Sequence, residues 1–172
     1  KAADLSGMGT DAVRWIPTGP DLRMDLEILT RTMDADIAEG LRPMMVVGTG
    51  GSVSTGAVDD LREISRICRE RDTWFHVDGA YGGLAAMLPD APEELHHLAL
   101  ADSVAVDPHK WLYAPLEAAC TLVRDPQTLL DAFSYRPSYY RIDAHDEESG
   151  NDYYELGLQN PRGFRALKAW LA

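Results

Sequence analysis

The sequence predicts an α/β fold in which a mostly parallel sheet carries flanking helices. Short apolar runs of strand length alternate with segments whose apolar residues recur every three or four positions. Glycines and acidic residues punctuate the changeovers. Strands and helices alternating in this way assemble as right-handed βαβ units. At 172 residues, 45% of them apolar, the chain is long enough to build one ordinary core.

The elements follow in order. Lys1 to Leu5 reads as helix, and Ala12 to Ile16 as a short strand ended by Pro17. From Asp25 to Glu39, apolar residues fall at Leu26, Leu29, Met33 and Ile37, which predicts a helix with one buried face, closed by Gly40. Met44 to Val47 is an apolar run of strand length, followed by a glycine-rich turn from Gly48 to Gly56. Asp59 and Asp60 place negative charge at the positive end of the next helix, which buries Leu61, Ile64 and Cys68. Trp74 to Val77 is the next strand, and Leu95, Leu98 and Leu100 mark a short helix. Ser103 to Val106 and Cys120 to Val123 complete the strands, and Ala166 to Ala172 reads as a final helix.

Residues 134–152 break the pattern. They are polar, hold Tyr135, Tyr139 and Tyr140, and show no periodicity. A long irregular segment in a compact domain is expected to be disordered or to work as a lid, and its tyrosines favour a mobile active-site loop. The first residues form a helix without a methionine, and the last stop inside another helix. The expectation is an interior piece of a longer polypeptide.

The formal charge is −12, from 28 acidic and 16 basic residues. That disfavours nucleic acid and anionic membrane surfaces as partners. No apolar run approaches the ~20 residues that a membrane-spanning helix needs. Cys68 and Cys120 lie far apart without metal-ligand spacing, so both are expected as buried free thiols in a reducing, cytoplasmic setting. His96 and His97 are adjacent and face apart, and His76 lies on a strand, so no metal site is expected.

The chemistry concentrates in two stretches, His76-Val77-Asp78-Gly79-Ala80-Tyr81-Gly82-Gly83 and Asp107-Pro108-His109-Lys110-Trp111. Each follows a strand. In parallel sheets, ligands sit beyond the carboxyl ends of the strands, so the fold is expected to bring Asp78 and Lys110 together. A lysine and a carboxylate so placed are the pair that pyridoxal phosphate requires. The amine captures the aldehyde as a Schiff base, and the carboxylate keeps the pyridine nitrogen protonated.

With these motifs the chain resembles the pyridoxal-phosphate-dependent group II amino-acid decarboxylases, which act on aromatic amino acids, histidine, tyrosine or glutamate. The resemblance rests on residues 48–60, 76–83, 101–112, 136–140 and 160–170. It implies the large domain of the type I, aspartate-aminotransferase-like fold over residues 1–172, with the active site at a homodimer interface.

The resemblance assigns roles residue by residue. Lys110 matches the Schiff-base lysine, and Asp78 the acid paired with the pyridine nitrogen. Ala80 matches a small residue packed under the ring, and His109 a histidine near the cofactor phosphate and substrate. The turn from Thr49 to Gly56 matches a loop approaching the cofactor. There Val53 replaces a threonine and cannot donate a hydrogen bond, leaving Thr49 or Ser52 to do so. Asp107 replaces an asparagine or serine that contacts phosphate; a carboxylate repels a phosphate dianion, so Asp107 is expected to turn to backbone amides, outside the site. Tyr139 matches the loop tyrosine that returns a proton to the α-carbon, where aldehyde-forming members carry phenylalanine. The main phosphate-binding segment and the histidine that stacks on the ring are expected upstream of Lys1.

The implied activity is decarboxylation of an L-amino acid, aromatic in preference, to the amine and carbon dioxide. An acidic substrate would need a cationic clamp, for which Arg136, Arg141 and Arg162 are candidates. A catalytically silent dimeric homologue is the remaining alternative. A nucleotide-binding domain is disfavoured, because no GxGxxG or GxxxxGK(S/T) loop is present.

Overall fold

The computed structural model describes residues 1–135 and 152–172. Their centre is a four-stranded sheet of β1 (Met45–Thr49), β2 (Trp74–Asp78), β3 (Ser103–Val106) and β4 (Cys120–Val123), in that spatial order. The first three strands run parallel; β4 pairs antiparallel with β3 at the edge.

Helix α1 (Ala2–Leu5) opens the chain, and α2 (Leu26–Ala38) is the first long element. Asp25 caps α2, its carboxylate accepting from the Ile28 amide at 2.9 Å. Gly40, at φ +81°, closes it in the left-handed region where glycine is unstrained. Leu29 and Met33 are buried as the periodicity predicts, whereas Ile37 is exposed. It lies in the last turn of α2, where the helix has left the core.

Helix α3 (Leu61–Glu70) is the crossover between β1 and β2. Its cap is Asp60, which accepts from the Glu63 amide at 3.0 Å. Leu61, Ile64, Ile67 and Cys68 are buried against Phe75 and Val77 of β2, on one face of the sheet. Full burial of a side chain of this size stabilises the fold by about 1.5–3 kcal/mol. The predicted helix around Leu95 is a 3-10 run, Glu93–Leu100, and the Ser65 hydroxyl joins it to α3 by donating to the Leu100 carbonyl at 3.3 Å.

Two further expectations about these elements fail. Ala12 to Ile16 forms no strand: a 3-10 turn at Thr10–Ala12 leads into extended chain with Val13 and Trp15 exposed. An apolar run becomes a strand only where a partner completes its ladder. Cys120 is exposed rather than buried, because it starts the edge strand, while Cys68 is buried as expected.

Three further helices complete the described residues: α4 (Pro108–Trp111), α5 (Gln127–Phe133) and α6 (Arg165–Leu171). The Ser134 hydroxyl, just after α5, donates to the buried Glu155 carboxylate at 2.8 Å. That bond ties α5 to the 3-10 turn Tyr153–Leu156. The opposite face of the sheet carries Met45, Val47, Trp74 and His76, with Met45 and Val47 exposed.

Candidate active site

Strand register places Thr49, Asp78 and Ala105 abreast at the carboxyl ends of β1, β2 and β3. The ladder runs one residue further: the Gly50 amide donates to the Asp78 carbonyl at 2.8 Å, and the Gly79 amide to the Ala105 carbonyl at 3.0 Å. Asp78 therefore leaves the sheet from a fixed backbone. Its Oδ1 accepts from the Ala80 amide at 3.1 Å, a local turn that orients the carboxylate. Its Oδ2 makes no hydrogen bond among the described residues.

The loops beyond β1 and β2 meet backbone to backbone. A Cβ on Gly51 would lie 2.7 Å from the Gly82 Cα, and one on Gly82 would lie 2.6 Å from the Gly51 Cα. Gly51 also has φ +94°. No other residue allows this approach, which fastens the 50–56 turn onto the Asp78 loop.

Lys110 lies in the single turn of α4, which Pro108 starts. Asp107 occupies the position before that turn but caps no backbone amide. Instead its Oδ2 lies 2.8 Å from Lys110 Nζ, with the two side chains 17% and 37% exposed. The expectation that Asp107 turns to backbone amides is thus corrected: an ammonium three residues on is in reach, and it binds the carboxylate more strongly than an amide. His109 Nδ1 lies 2.6 Å from the Ala118 carbonyl, which only accepts, and 3.4 Å from the Ala118 amide; the shorter contact favours a proton on Nδ1. Its Nε2 lies 3.8 Å from Asp107 Oδ2.

Two contacts hold this turn in place. Tyr81, from the Asp78 loop, packs edge-on against Trp111, ring centroids 6.0 Å apart. From the other side, Arg165 of α6 pairs with Glu117 at 2.7 Å, and Lys168 donates to the Leu116 carbonyl at 3.0 Å. The Arg165 guanidinium holds the Glu117 carboxyl below its ordinary range. The loop bearing Ala118, and with it His109, is thereby anchored to α6.

The remaining candidates are placed less uniformly. Thr49 is half-buried, and its amide donates at 2.8 Å to the buried Asp59, whose other oxygen accepts from the Met24 amide at 2.7 Å. Ser52 is turned into its own loop, its hydroxyl 2.8 Å from that of Thr55. Ala80 enters through its backbone amide, as described. Tyr139, Arg136 and Arg141 lie outside the described residues.

Two features escaped the sequence reading. One is the Asp107–Lys110 pair; the i, i+3 spacing was its signal. The other is a relay on the open face of the sheet: Trp74 Nε1 donates to Ser103 Oγ at 2.9 Å, and Ser103 Oγ shares a hydrogen bond with His76 Nδ1 at 2.7 Å. Burial pushes the His76 imidazole below its ordinary pKa, partly opposed by Asp78, which favours its neutral form. The signal there was the alternation of Trp74, His76 and Asp78 on one face of β2.

The donor set fits pyridoxal phosphate. A primary amine, partly exposed, and a carboxylate with one oxygen free stand beyond neighbouring parallel strands. Their two loops are joined by the Tyr81–Trp111 contact. Such a set can capture an aldehyde and hold a protonated ring nitrogen.

Comparison with known proteins gives a consistent answer. The profile of the pyridoxal-dependent decarboxylase conserved domain matches residues 1–172. The chain is 35% identical to an aromatic-L-amino-acid decarboxylase of Bacillus atrophaeus, over 100% of this chain and 36% of that protein. It is 36% identical to a phenylacetaldehyde synthase of Petunia hybrida, over 99% of this chain and 34% of the relative. A crystal structure of Oryza sativa TDC with PLP and tryptamine superposes with a TM-score of 0.90 at 34% identity, over 99% of this chain and 35% of the other. The chain therefore spans about a third of the length of the relatives it matches.

Proposed function

The chain belongs to the pyridoxal-dependent decarboxylase family, and from that premise we propose that the complete protein decarboxylates an L-amino acid, aromatic in preference, to its amine. The observation that carries this reading is the pairing of loops beyond the carboxyl ends of β2 and β3: Asp78 on one, Lys110 on the other, locked by Tyr81 against Trp111.

Pyridoxal phosphate, when bound, supplies an aldehyde for capture by an amine and a ring that accepts the electron pair left as the carboxylate departs. Lys110 is the residue whose amine would hold the cofactor covalently. Asp78 keeps a proton on the ring nitrogen, since an anion beside a cationic group favours the charged form. Ala80 leaves room under the ring. His109, with Nδ1 committed to the Ala118 carbonyl, has only Nε2 to offer phosphate or substrate. Thr49 and Ser52 approach from the β1 loop. Tyr139 delivers the proton to the α-carbon, a role drawn from the resemblance alone. The partner is a second copy of the chain; exposed Tyr113 and Leu116, close to Lys110 in sequence, support an interface there.

An aldehyde-forming synthase stands among the relatives at an identity similar to that of the decarboxylases, so identity does not choose between the two chemistries. Tyr139 favours the amine-forming reaction. The test is full-length protein with pyridoxal phosphate, offered aromatic amino acids, histidine, glutamate and aspartate, with carbon dioxide, amine, aldehyde and ammonia followed together. Carbon dioxide with equal amine from aromatic substrates, abolished by Lys110→Ala, is the expected result. Release only from glutamate or aspartate would replace the substrate class, and no release from any would refute the activity. Tyr139→Phe should divert product toward aldehyde and ammonia; an unchanged product ratio would remove Tyr139 from the reaction.

A further inference from the structure

We infer that Asp107 is the resting partner of the Lys110 amine: a positioning residue that holds the ammonium whenever Nζ is not bonded to the cofactor. This inference rests on the reading of Lys110 as the covalent lysine. Three observations support it. The carboxylate stands where a helix cap would, yet caps nothing and reaches Nζ at 2.8 Å. Asp107 is half-buried, its side chain 17% exposed, less than the 37% of Lys110. The neighbouring His109 is held through Nδ1 at the Ala118 carbonyl, its Nε2 lies 3.8 Å from the same oxygen, and Lys110 Nζ at 2.8 Å is the nearer nitrogen.

The consequence is a competition. Bonding to an aldehyde uses the Nζ lone pair, so the ammonium first leaves Asp107 and gives a proton to solvent. The condensation then expels one water. When a substrate amine takes the lysine's place, Nζ leaves as an amine, regains a proton from solvent, and returns to Asp107. The carboxylate thus favours the freed state of Lys110. An asparagine or serine at this position would lack that charge.

The test uses cofactor-free full-length protein and a neutral acylating probe, N-hydroxysuccinimidyl acetate, which reacts only with the free lone pair. Acetylation of Lys110 is read by peptide mass against Lys168 in the same sample. Asp107→Asn and Asp107→Ser should each raise the Lys110 rate about threefold or more relative to Lys168. Asp107→Glu should restore a rate near that of the unaltered protein. Equal rates in the unaltered and both uncharged variants would overturn the inference. A parallel reaction of the unaltered protein with pyridoxal phosphate and borohydride asks a separate question. A reduced tag on Lys110 upholds its covalent role, and a tag elsewhere removes that role whatever acetylation shows.

Discussion

Tyr81 meets Trp111 edge to face, the ring planes 85° apart. Tyr81 is three residues beyond Asp78, and Trp111 directly follows Lys110. The two groups expected to grip one cofactor are therefore linked through a single ring contact. The contact itself contributes about 0.5–1.5 kcal/mol beyond buried area, and its larger effect is on registration of the two loops.

Trp111→Ala should therefore leave the protein folded and Lys110 still open to borohydride tagging, while kcat/KM falls roughly ten- to hundredfold. Steady-state kinetics beside the tagging assay check this. Unchanged kinetics would mean that the loops are aligned by other contacts.

Asp78→Asn keeps an Oδ1 to accept from the Ala80 amide, so the turn survives and only the charge is lost. Turnover should drop on the order of 10²–10⁴-fold with the melting temperature nearly unchanged. Near-normal turnover would exclude Asp78 from holding the ring proton.

Asp59 is buried and satisfies the amides of both Met24 and Thr49. Asp59→Ala strands those two donors and should destabilise the full-length protein by about 2–4 kcal/mol, read from the denaturant midpoint. A loss under ~0.5 kcal/mol would show that water takes over both bonds.

Burial pushes the Cys68 thiol up from 9.0 to about 12. The folded state thus keeps its proton over a pH range in which the unfolded chain has lost it. Stability attributable to this group should fall as pH rises from about 9 toward 12, the sign for an acid whose folded pKa is raised. Iodoacetamide at pH 8 should modify exposed Cys120 and leave Cys68 untouched until unfolding. Equal labelling in the native state would contradict the burial.

Much of this molecule can be read locally. Asp60 caps α3 because an acidic side chain before Leu61 is in reach of the first free amides, and Leu61, Ile64 and Cys68 share a face by helical spacing. Both motifs that carry Asp78 and Lys110 end strands, and the sheet aligned those ends as expected. What was not legible depended on partners distant in sequence or competing for the same atom. The apolar run at Ala12 found no strand to pair with, and Cys120 fell on an edge. Asp107 had two possible partners, a backbone amide and the Lys110 ammonium. Side-chain geometry, invisible in a string of letters, chose the cation.

The open face of the sheet has a consequence for biosynthesis. Met45 and Val47 are exposed there beside Trp74, with the helices gathered on the other side. A nascent chain that has just paired β1, β2 and β3 presents that face to the crowded exit of the ribosome. An apolar face left uncovered favours association, so this stretch expressed by itself should be recovered mainly from inclusion bodies.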